Sequence, residues 1–321
     1  MFCIIALIIF AILGIFSASH RLLAKEALDC VLRRVTLRPC NTGFKEKIQA
    51  KILGQLINRS VRLTKFVNRY FEVLAWIFFI LMVASTVYVM RGGYNFYMYG
   101  NCNGLNEAGF CVFDPTGANN QTTPINESCS LTPPSAKDLR FDVLKLTDFP
   151  QVTANTEKAV VFIGCYSCDA TRKTYPTIRK LLANNTTNFT FIHFPIKPEL
   201  NFLSNYTYCI NKIAPNKLWE FNDAMFAAPV NNLTDKNYVN SVIQQIGLDA
   251  NAIEQCVNDP ETQKIVDDQF QQVVATNIYG TPTTFVNGQA IVGPKPYRVY
   301  QRLLSGGMFA EIRDYFARLT K

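Results

Sequence analysis

A Cys-x-x-Cys pair at the end of an apolar run is the feature that most limits what this chain can fold into. The run Ala159–Gly164 has the composition of a buried strand, and the stretch Cys165-Tyr-Ser-Cys168 follows it directly. A segment with helical periodicity then continues to Leu182. Backbone N–H groups and the dipole at a helix N-terminus stabilise a thiolate. The pattern therefore predicts a redox-active pair in which Cys165 is the nucleophile and Cys168 resolves the mixed disulfide.

The surrounding pattern alternates strands and helices. Runs rich in β-branched and aromatic residues predict strands, and the Asn287-Gly288 pair between the last two predicts a hairpin. The predicted strands are Phe141–Leu146, Ala159–Ile163, Phe189–Phe194, Thr283–Val286 and Gln289–Val292, and the predicted helical segments are Tyr166–Leu182, Leu203–Ile278 and Tyr297–Leu319. Strands that alternate with helices indicate an α/β fold.

Two uncharged stretches near the N-terminus are candidates for membrane spans. Phe2–Ser19 and Val73–Met90 each contain 18 residues, against about 20 for a helix that crosses a bilayer core. The segment between them, His20–Phe71, holds twelve Lys and Arg against three acidic residues, a charge of +9 in a chain of +8. This basicity predicts a cytoplasmic loop, with the N-terminus and the region after residue 91 outside, and no nucleic-acid partner. A cleaved signal peptide at residues 1–19 is an alternative, although it lacks a positive n-region.

These patterns predict five regions and a location at the cell membrane. The regions are a transmembrane helix at 1–19, a basic cytoplasmic helical loop at 20–71, a transmembrane helix at 72–91, an extracytoplasmic cysteine-containing spacer at 92–138 and an α/β domain at 139–321. The lipid bilayer is therefore a predicted partner of the first 91 residues.

The cysteines agree with an oxidising environment for the C-terminal region. Seven of the ten lie beyond residue 91, at Cys102, Cys111, Cys129, Cys165, Cys168, Cys209 and Cys256. A bridge between Cys102 and Cys111 has the smallest entropic cost of loop closure and leaves Cys129 without a partner in this segment. Other pairings stay open. Cys30 and Cys40 fall in the basic loop, where two reduced thiols are expected and a redox-sensing role is an alternative.

Asn-x-Ser/Thr sequences are concentrated in the same C-terminal region. The glycosylation candidates are Asn120, Asn126, Asn184, Asn185, Asn188, Asn205 and Asn232, whereas only Asn58 lies in the predicted cytoplasmic loop. They predict a glycosylated surface, and chance occurrence in polar loops is the alternative.

A Cys-x-x-Cys pair can also be half of a zinc site or a purely structural disulfide. The chain has two histidines, His20 and His193, and no second Cys-x-x-Cys, so no obvious ligand set completes a zinc site. Closing so short a loop adds little stability, which argues against a structural disulfide. We therefore expect no metal and no other cofactor.

Several motifs together resemble the DsbA-like branch of the thioredoxin superfamily. They are Cys165-Tyr-Ser-Cys168 after a strand, Pro176 inside the next helix, the stretch Tyr279-Gly-Thr-Pro-Thr-Thr-Phe-Val-Asn-Gly288 and a closing segment Gly293–Leu304. The resemblance covers about residues 141–319 and is to membrane-anchored archaeal and bacterial surface forms. It implies a thioredoxin-like domain with a helical insertion, here preceded by two transmembrane helices, and thiol:disulfide oxidoreductase activity.

The resemblance also implies roles for two further pairs of residues. A cis peptide bond at Thr281–Pro282 would pack against the Cys165 sulfur and leave the Thr281 backbone as an edge for an extended substrate segment. Cys209 and Cys256, at the two ends of the helical insertion, would form a structural disulfide.

The sequence departs from the family pattern within and before the motif. Position 166 is Tyr where a proline is common, and the strand before the motif has no obvious buried acid to move the Cys168 proton, with Glu157 a weak candidate. Neither Tyr166 nor Ser167 brings a positive charge, so we expect less thiolate stabilisation than a histidine at position 167 would give. The direction of electron flow stays open.

The resulting hypothesis is a membrane-anchored, extracytoplasmic oxidoreductase that acts on cysteines of secreted or surface proteins. As an oxidase it would need reoxidation by a membrane protein of the DsbB or vitamin K epoxide reductase type. The alternative is a surface peptide-binding or chaperone module that keeps the fold and the Thr281 edge without redox turnover.

Overall fold

The computed structural model describes residues 18–36, 44–57, 60–107, 109–119, 121–124, 138–154, 156–184 and 186–306. The chain divides into two units, Met1–Met90 and Arg91–Lys321. The helices are α1 (Ala18–Val35), α2 (Phe44–Ile57), α3 (Val61–Arg69), α4 (Phe71–Tyr99), α5 (Asp169–Leu181), α6 (Phe202–Ile213), α7 (Leu218–Ala227), α8 (Lys236–Gln245), α9 (Ala250–Val257), α10 (Pro260–Ala275) and α11 (Tyr297–Ser305). The strands are β1 (Thr123–Pro124), β2 (Gln151–Val152), β3 (Ala159–Gly164), β4 (Asn188–His193), β5 (Gly280–Thr281), β6 (Thr283–Val286) and β7 (Gln289–Val292).

The basic segment of the first unit is helical, as its three-to-four-residue apolar periodicity predicts. Ser60 caps α3 by accepting a hydrogen bond from the Leu63 N–H, and Gln49 of α2 donates to Asn68 of α3 at 2.9 Å. Cys30 is buried on α1 and is disulfide-bonded. The expectation of a reduced thiol at Cys30 is therefore wrong.

Helix α4 contains the second predicted membrane span. It has 29 residues, with a mean hydropathy of 2.4 in its most apolar stretch and no buried residue in that stretch. At 1.5 Å per residue it is about 43 Å long, against about 30 Å for a hydrocarbon core. It is the one helix among the described residues that is long and apolar enough to cross a membrane. Nearly all of the first predicted span, residues 1–17, lies outside the described residues.

A five-stranded mixed sheet in the order β2-β4-β3-β6-β7 forms the centre of the second unit. The central strands β3 and β4 run parallel, and the other neighbours run antiparallel. Strand β3 reads Ala-Val-Val-Phe-Ile-Gly and is buried along nearly its whole length. Such a continuous apolar run is typical of a strand covered on both faces.

The predicted hairpin joins β6 to β7. Asn287 and Gly288 both adopt positive φ, 48° and 82°, which the tight two-residue turn requires. The Asn287 side chain also accepts a hydrogen bond from the Ala159 N–H at 3.1 Å, so the turn is tied to the start of β3.

A helical insertion, α6 to α10, separates β4 from β5. Aspartates at positions 235, 249 and 259 begin α8, α9 and α10 by accepting a hydrogen bond from the N–H two residues later. A disulfide between Cys209 of α6 and Cys256 of α9 connects the first helix of this insertion to the fourth. The sequence analysis predicted one long helical region here. The structure divides it into five α-helices, three of which begin at these capping aspartates.

The first predicted strand, Phe141–Leu146, does not form. Residues 141–146 are not a strand: Phe141 packs its ring on Phe285 of β6 at 5.3 Å, and the Leu144 N–H bonds back to the Phe141 carbonyl in a turn. The apolar side chains there cover the sheet instead of extending it. The actual edge strand is the shorter β2.

The described part of the predicted spacer, residues 92–138, belongs to the second unit and contacts its sheet. A disulfide joins Cys102 to Cys111. The Asn106 side chain donates to the Ala290 carbonyl at 2.9 Å and accepts from the Val292 N–H at 2.8 Å, so it hydrogen-bonds the backbone of β7. The boundary expected near residue 138 therefore does not separate this segment from the sheet.

Candidate active site

The Cys165–Cys168 pair forms a turn between β3 and α5. The Cys168 N–H donates to the Cys165 carbonyl at 3.2 Å, and Cys168 occupies the N-cap position of α5. Both cysteines are reduced and buried, with Cys165 at 0% exposure. The helix begins at Asp169 and not at Tyr166 as predicted, so the motif precedes the first helical turn.

The pKa of Cys165 is lowered to about 3. The hydrogen bond from the Cys168 thiol is the largest cause, and burial acts in the opposite direction. The His193 imidazole lowers the pKa further through hydrogen bonding and charge, and the Ser167 hydroxyl lies 3.1 Å from the Cys165 sulfur. Cys165 is therefore a thiolate near neutral pH, which is the form that acts as nucleophile and leaving group.

His193 reaches this site from the neighbouring strand. It is the last residue of β4, and the parallel register places it opposite Gly164, next to Cys165. Its ring stacks on Tyr166 with 4.5 Å between ring centroids. The sequence reasoning considered His193 only as a zinc ligand. The signal that identifies it is topological, because parallel neighbours end at the same edge of a sheet.

The hydrogen bonds of His193 fix how the ring meets the thiolate. Ser204 Oγ donates to the His193 carbonyl at 3.2 Å and lies 3.0 Å from His193 Nδ1. In the tautomer in which the hydroxyl proton goes to the carbonyl, Nδ1 donates to Ser204 Oγ. Nε2 is buried without a conventional hydrogen bond in the structure. His193 therefore adds, from outside the motif, a group whose hydrogen bonding and charge lower the pKa of Cys165.

Tyr166, which replaces the common proline of the motif, acts as a buried anchor. Its hydroxyl donates to Asn222 Oδ1 at 2.6 Å and lies 3.1 Å from Thr207 Oγ1, so it reaches the helical insertion. Burial raises the pKa of this phenol, which stays neutral. Arg172 of α5 donates to the Tyr166 carbonyl at 2.6 Å. These contacts hold the turn that presents Cys165.

The Gly-Thr-Pro loop lies against the cysteine pair. The Thr281–Pro282 peptide bond is cis, and the Thr281 hydroxyl donates to Cys168 Sγ at 3.5 Å. The edge at Thr281 is occupied in this structure, and its role in binding a client segment stays a prediction. Thr281 is fully buried, and its strand β5 pairs antiparallel with β1 of the same chain, with Thr123 opposite Thr281.

Other predicted site residues are placed less favourably. Glu157 is exposed. Of the sequons, Asn184 is exposed and Asn232 is half-buried, whereas Asn205 is buried and donates to Gln263. Asn188 uses its side chain on the Ala154 N–H and the Thr156 carbonyl. Because their amides are engaged within the fold, Asn188 and Asn205 are poor glycosylation sites, and Asn120, Asn126 and Asn185 lie outside the described residues.

Within the part of the chain that the structure describes, no group of three or more His, Cys, Asp or Glu side chains is arranged to hold a metal ion.

Residues 211–305 match the family model of the DSBA-like thioredoxin domain. Among solved structures, the thiol-disulfide exchange protein alpha-DsbA2 from Wolbachia pipientis is 17% identical, with a TM-score of 0.45 over 51% of this chain and 89% of that chain. BdbD from Bacillus subtilis, in its oxidised form, is 16% identical, with a TM-score of 0.42 over 54% and 94%. A periplasmic thioredoxin-like protein from Salmonella enterica serovar Typhimurium is 15% identical, with a TM-score of 0.43 over 53% and 92%. No curated protein matches the sequence. The second unit thus carries a DsbA-like thioredoxin fold.

Proposed function

We propose that the second unit is a thiol:disulfide oxidoreductase that oxidises cysteine pairs of client proteins. The observation that carries the proposal is the arrangement around the reduced, buried Cys165: Cys168 follows in the same turn, the Ser167 hydroxyl lies 3.1 Å from the Cys165 sulfur, and His193 ends the neighbouring strand. These groups lower the pKa of the thiol. A thiolate stabilised in this way favours the reduced pair, so the Cys165–Cys168 disulfide is a strong oxidant.

The reaction starts from the Cys165–Cys168 disulfide. A client thiolate attacks Cys165 Sγ, a mixed disulfide forms, and the bond to Cys168 breaks with Cys168 taking up a proton. The second client thiolate then attacks the client sulfur of the mixed disulfide and releases Cys165 as a thiolate. Two electrons have passed from the client dithiol to the cysteine pair, and the client holds a new disulfide. Low basicity makes Cys165 a good leaving group in this last step.

Each turnover leaves the pair reduced, so continued oxidation needs an electron acceptor. We propose a membrane protein of the DsbB or vitamin K epoxide reductase type as that partner, and secreted or surface proteins with cysteines as the clients. Helix α4 has the length and apolarity to anchor the domain beside such a partner.

Trapping of the client tests this function. Cys168→Ser cannot form the internal disulfide, so it is mixed with a client that already carries a disulfide. The Cys165 thiolate attacks one client sulfur, the other client sulfur leaves as a thiolate, and without Cys168 to displace it we expect the mixed disulfide to accumulate as a reducible adduct of client and Cys165. Cys165→Ser is the matched control and should form no adduct and oxidise no client. Client oxidation by Cys165→Ser at the wild-type rate would contradict the proposal and favour a peptide-binding module without redox turnover.

A further inference from the structure

The strand that precedes the cis proline is already paired within this chain. Thr123 of β1 lies opposite Thr281, and Pro124 lies opposite Gly280, in antiparallel register. An extended client that adds a strand at this edge would use the same backbone groups of β5. The client and residues 121–124 therefore cannot occupy the edge at the same time.

We propose that Gln121–Pro124 is an intramolecular strap that occupies the peptide-binding edge at Thr281 and must detach before a client segment pairs there. The inference rests on the proposed function, because that function needs the edge for clients.

The surface under the strap is shaped to receive it. A Cβ atom at Gly280 would lie 2.8 Å from Thr122 Cβ and 3.1 Å from Thr122 Oγ1, so only a residue without a side chain allows this approach. On the other side, Gln121 Oε1 accepts a hydrogen bond from Lys173 of α5 at 3.5 Å. The strap thus contacts the loop before the cis proline and the helix that follows the cysteine pair.

The chain is held firmly just before the strap. The buried Lys295 donates through Nζ to the Asn119 carbonyl at 2.7 Å, and Asn119 Nδ2 donates to the Gly100 carbonyl at 3.0 Å. The Ala118 N–H donates to the Asp114 carboxylate at 3.0 Å. This anchor keeps the strap at a high effective concentration over its binding edge.

The strap is short, so it can open locally without unfolding the domain. Among the described residues, the contacts that opening breaks include the two paired residues of β1, the packing of Thr122 on Gly280 and one long hydrogen bond from Lys173. Local opening of an edge segment costs less than global unfolding. Cys165 has 0% exposure, so some rearrangement must precede attack by a client thiolate, and detachment of the strap from the neighbouring edge is the one proposed here. Client segments therefore compete with the strap for the edge at Thr281.

Two variants of the full chain are designed to open the strap, one by changing the strap and the other by changing the strand with which it pairs. Thr122→Gly with Thr123→Gly loosens the strap by raising the entropy of its free form. Gly280→Ala places a methyl group against Thr122. Thr153→Gly is the matched control, because Thr153 is an exposed threonine after β2 and outside the strap.

The readouts are amide hydrogen exchange of the peptide that contains Gly280 and Thr281, and the rate of alkylation of reduced Cys165, located by mass spectrometry. We expect both rates to rise about tenfold in the two opening variants, since the fraction of open molecules sets the apparent reactivity. The control should keep the wild-type rates. Wild-type rates in both opening variants would overturn the strap. Faster rates in the variants together with no client oxidation by any form of the protein would support the strap and overturn the proposed function.

Discussion

Two cysteine pairs in the second unit have opposite character. Cys165 and Cys168 are reduced and lie among groups that stabilise a negative charge. Cys209 and Cys256 form a disulfide, and the polar group beside their sulfurs is the neutral hydroxyl of Thr262, at 4.0 Å and 3.7 Å. Cys165 and Cys209 are both 0% exposed, so burial does not decide which pair is reactive. The polar and charged groups beside each sulfur decide which pair is reactive.

The two pairs also differ in the length of chain they close. Cys165 and Cys168 are three residues apart, whereas 47 residues separate Cys209 from Cys256. A long loop loses much conformational entropy in the unfolded chain when it is bridged, and a short one loses little. One pair is therefore suited to repeated opening and the other to stabilising the helical insertion.

The largest expected difference between the pairs is in the titration of Cys165. With a pKa of about 3, its thiolate absorbance should stay constant from neutral pH down to mildly acidic pH and disappear near pH 3. The pKa in the folded protein lies below that of an unfolded thiol, about 8.5. The thiolate therefore stabilises the reduced protein fully above about pH 8.5, less as the pH falls, and not at all below about pH 3.

Thermal unfolding of the reduced and oxidised forms across this pH range measures the same linkage. The reduced form should lose its advantage over the oxidised form as the pH falls toward 3. Cys165→Ser should abolish the titration. A thiolate midpoint above pH 7 in the wild type would contradict the charge environment described for this pair.

The next effect is on stability, and it should appear at the other pair. Replacing both partners, Cys209→Ser with Cys256→Ser, should lower the unfolding free energy by about 4 kcal/mol, from a loop of about 48 residues. Urea denaturation measures the loss, and the titration of Cys165 should not change. The Cys102–Cys111 disulfide closes a shorter loop, so Cys102→Ser with Cys111→Ser should lower the unfolding free energy by about 3 kcal/mol. A large shift in the Cys165 titration in either double variant would show that the two roles are not separate.

The smallest expected effect comes from the neighbour that the motif does not contain. His193→Phe keeps an aromatic ring on Tyr166 but removes the imidazole that lowers the pKa of Cys165 through hydrogen bonding and charge, so the pKa of Cys165 should rise. Ser204→Ala removes the hydroxyl beside Nδ1 and should give a smaller rise. Thiolate absorbance measures both. An unchanged titration in His193→Phe would show that Cys168 and Ser167 stabilise the thiolate alone.

The sequence predicted local features better than long-range ones. The strand Ala159–Gly164, the Asn287-Gly288 hairpin and α4 each follow from composition and periodicity within a short window. The Cys209–Cys256 disulfide came from the family resemblance. His193 and the pairing of Thr123 with Thr281 were not foreseen, because each depends on which strands become neighbours across a long stretch of chain. The strand expected at Phe141–Leu146 failed for a related reason, since apolar residues that cover a sheet have the same composition as those that form one.

The reduction potential of the Cys165–Cys168 pair tests the central claim most directly. Equilibration of the full chain with glutathione buffers, read as the ratio of reduced to oxidised pair, provides it. A stabilised Cys165 thiolate predicts an oxidising pair, with a potential of about −180 mV or higher and toward the −120 mV typical of DsbA. A value of about −270 mV, as in thioredoxin, would contradict the account and assign the pair a reducing role.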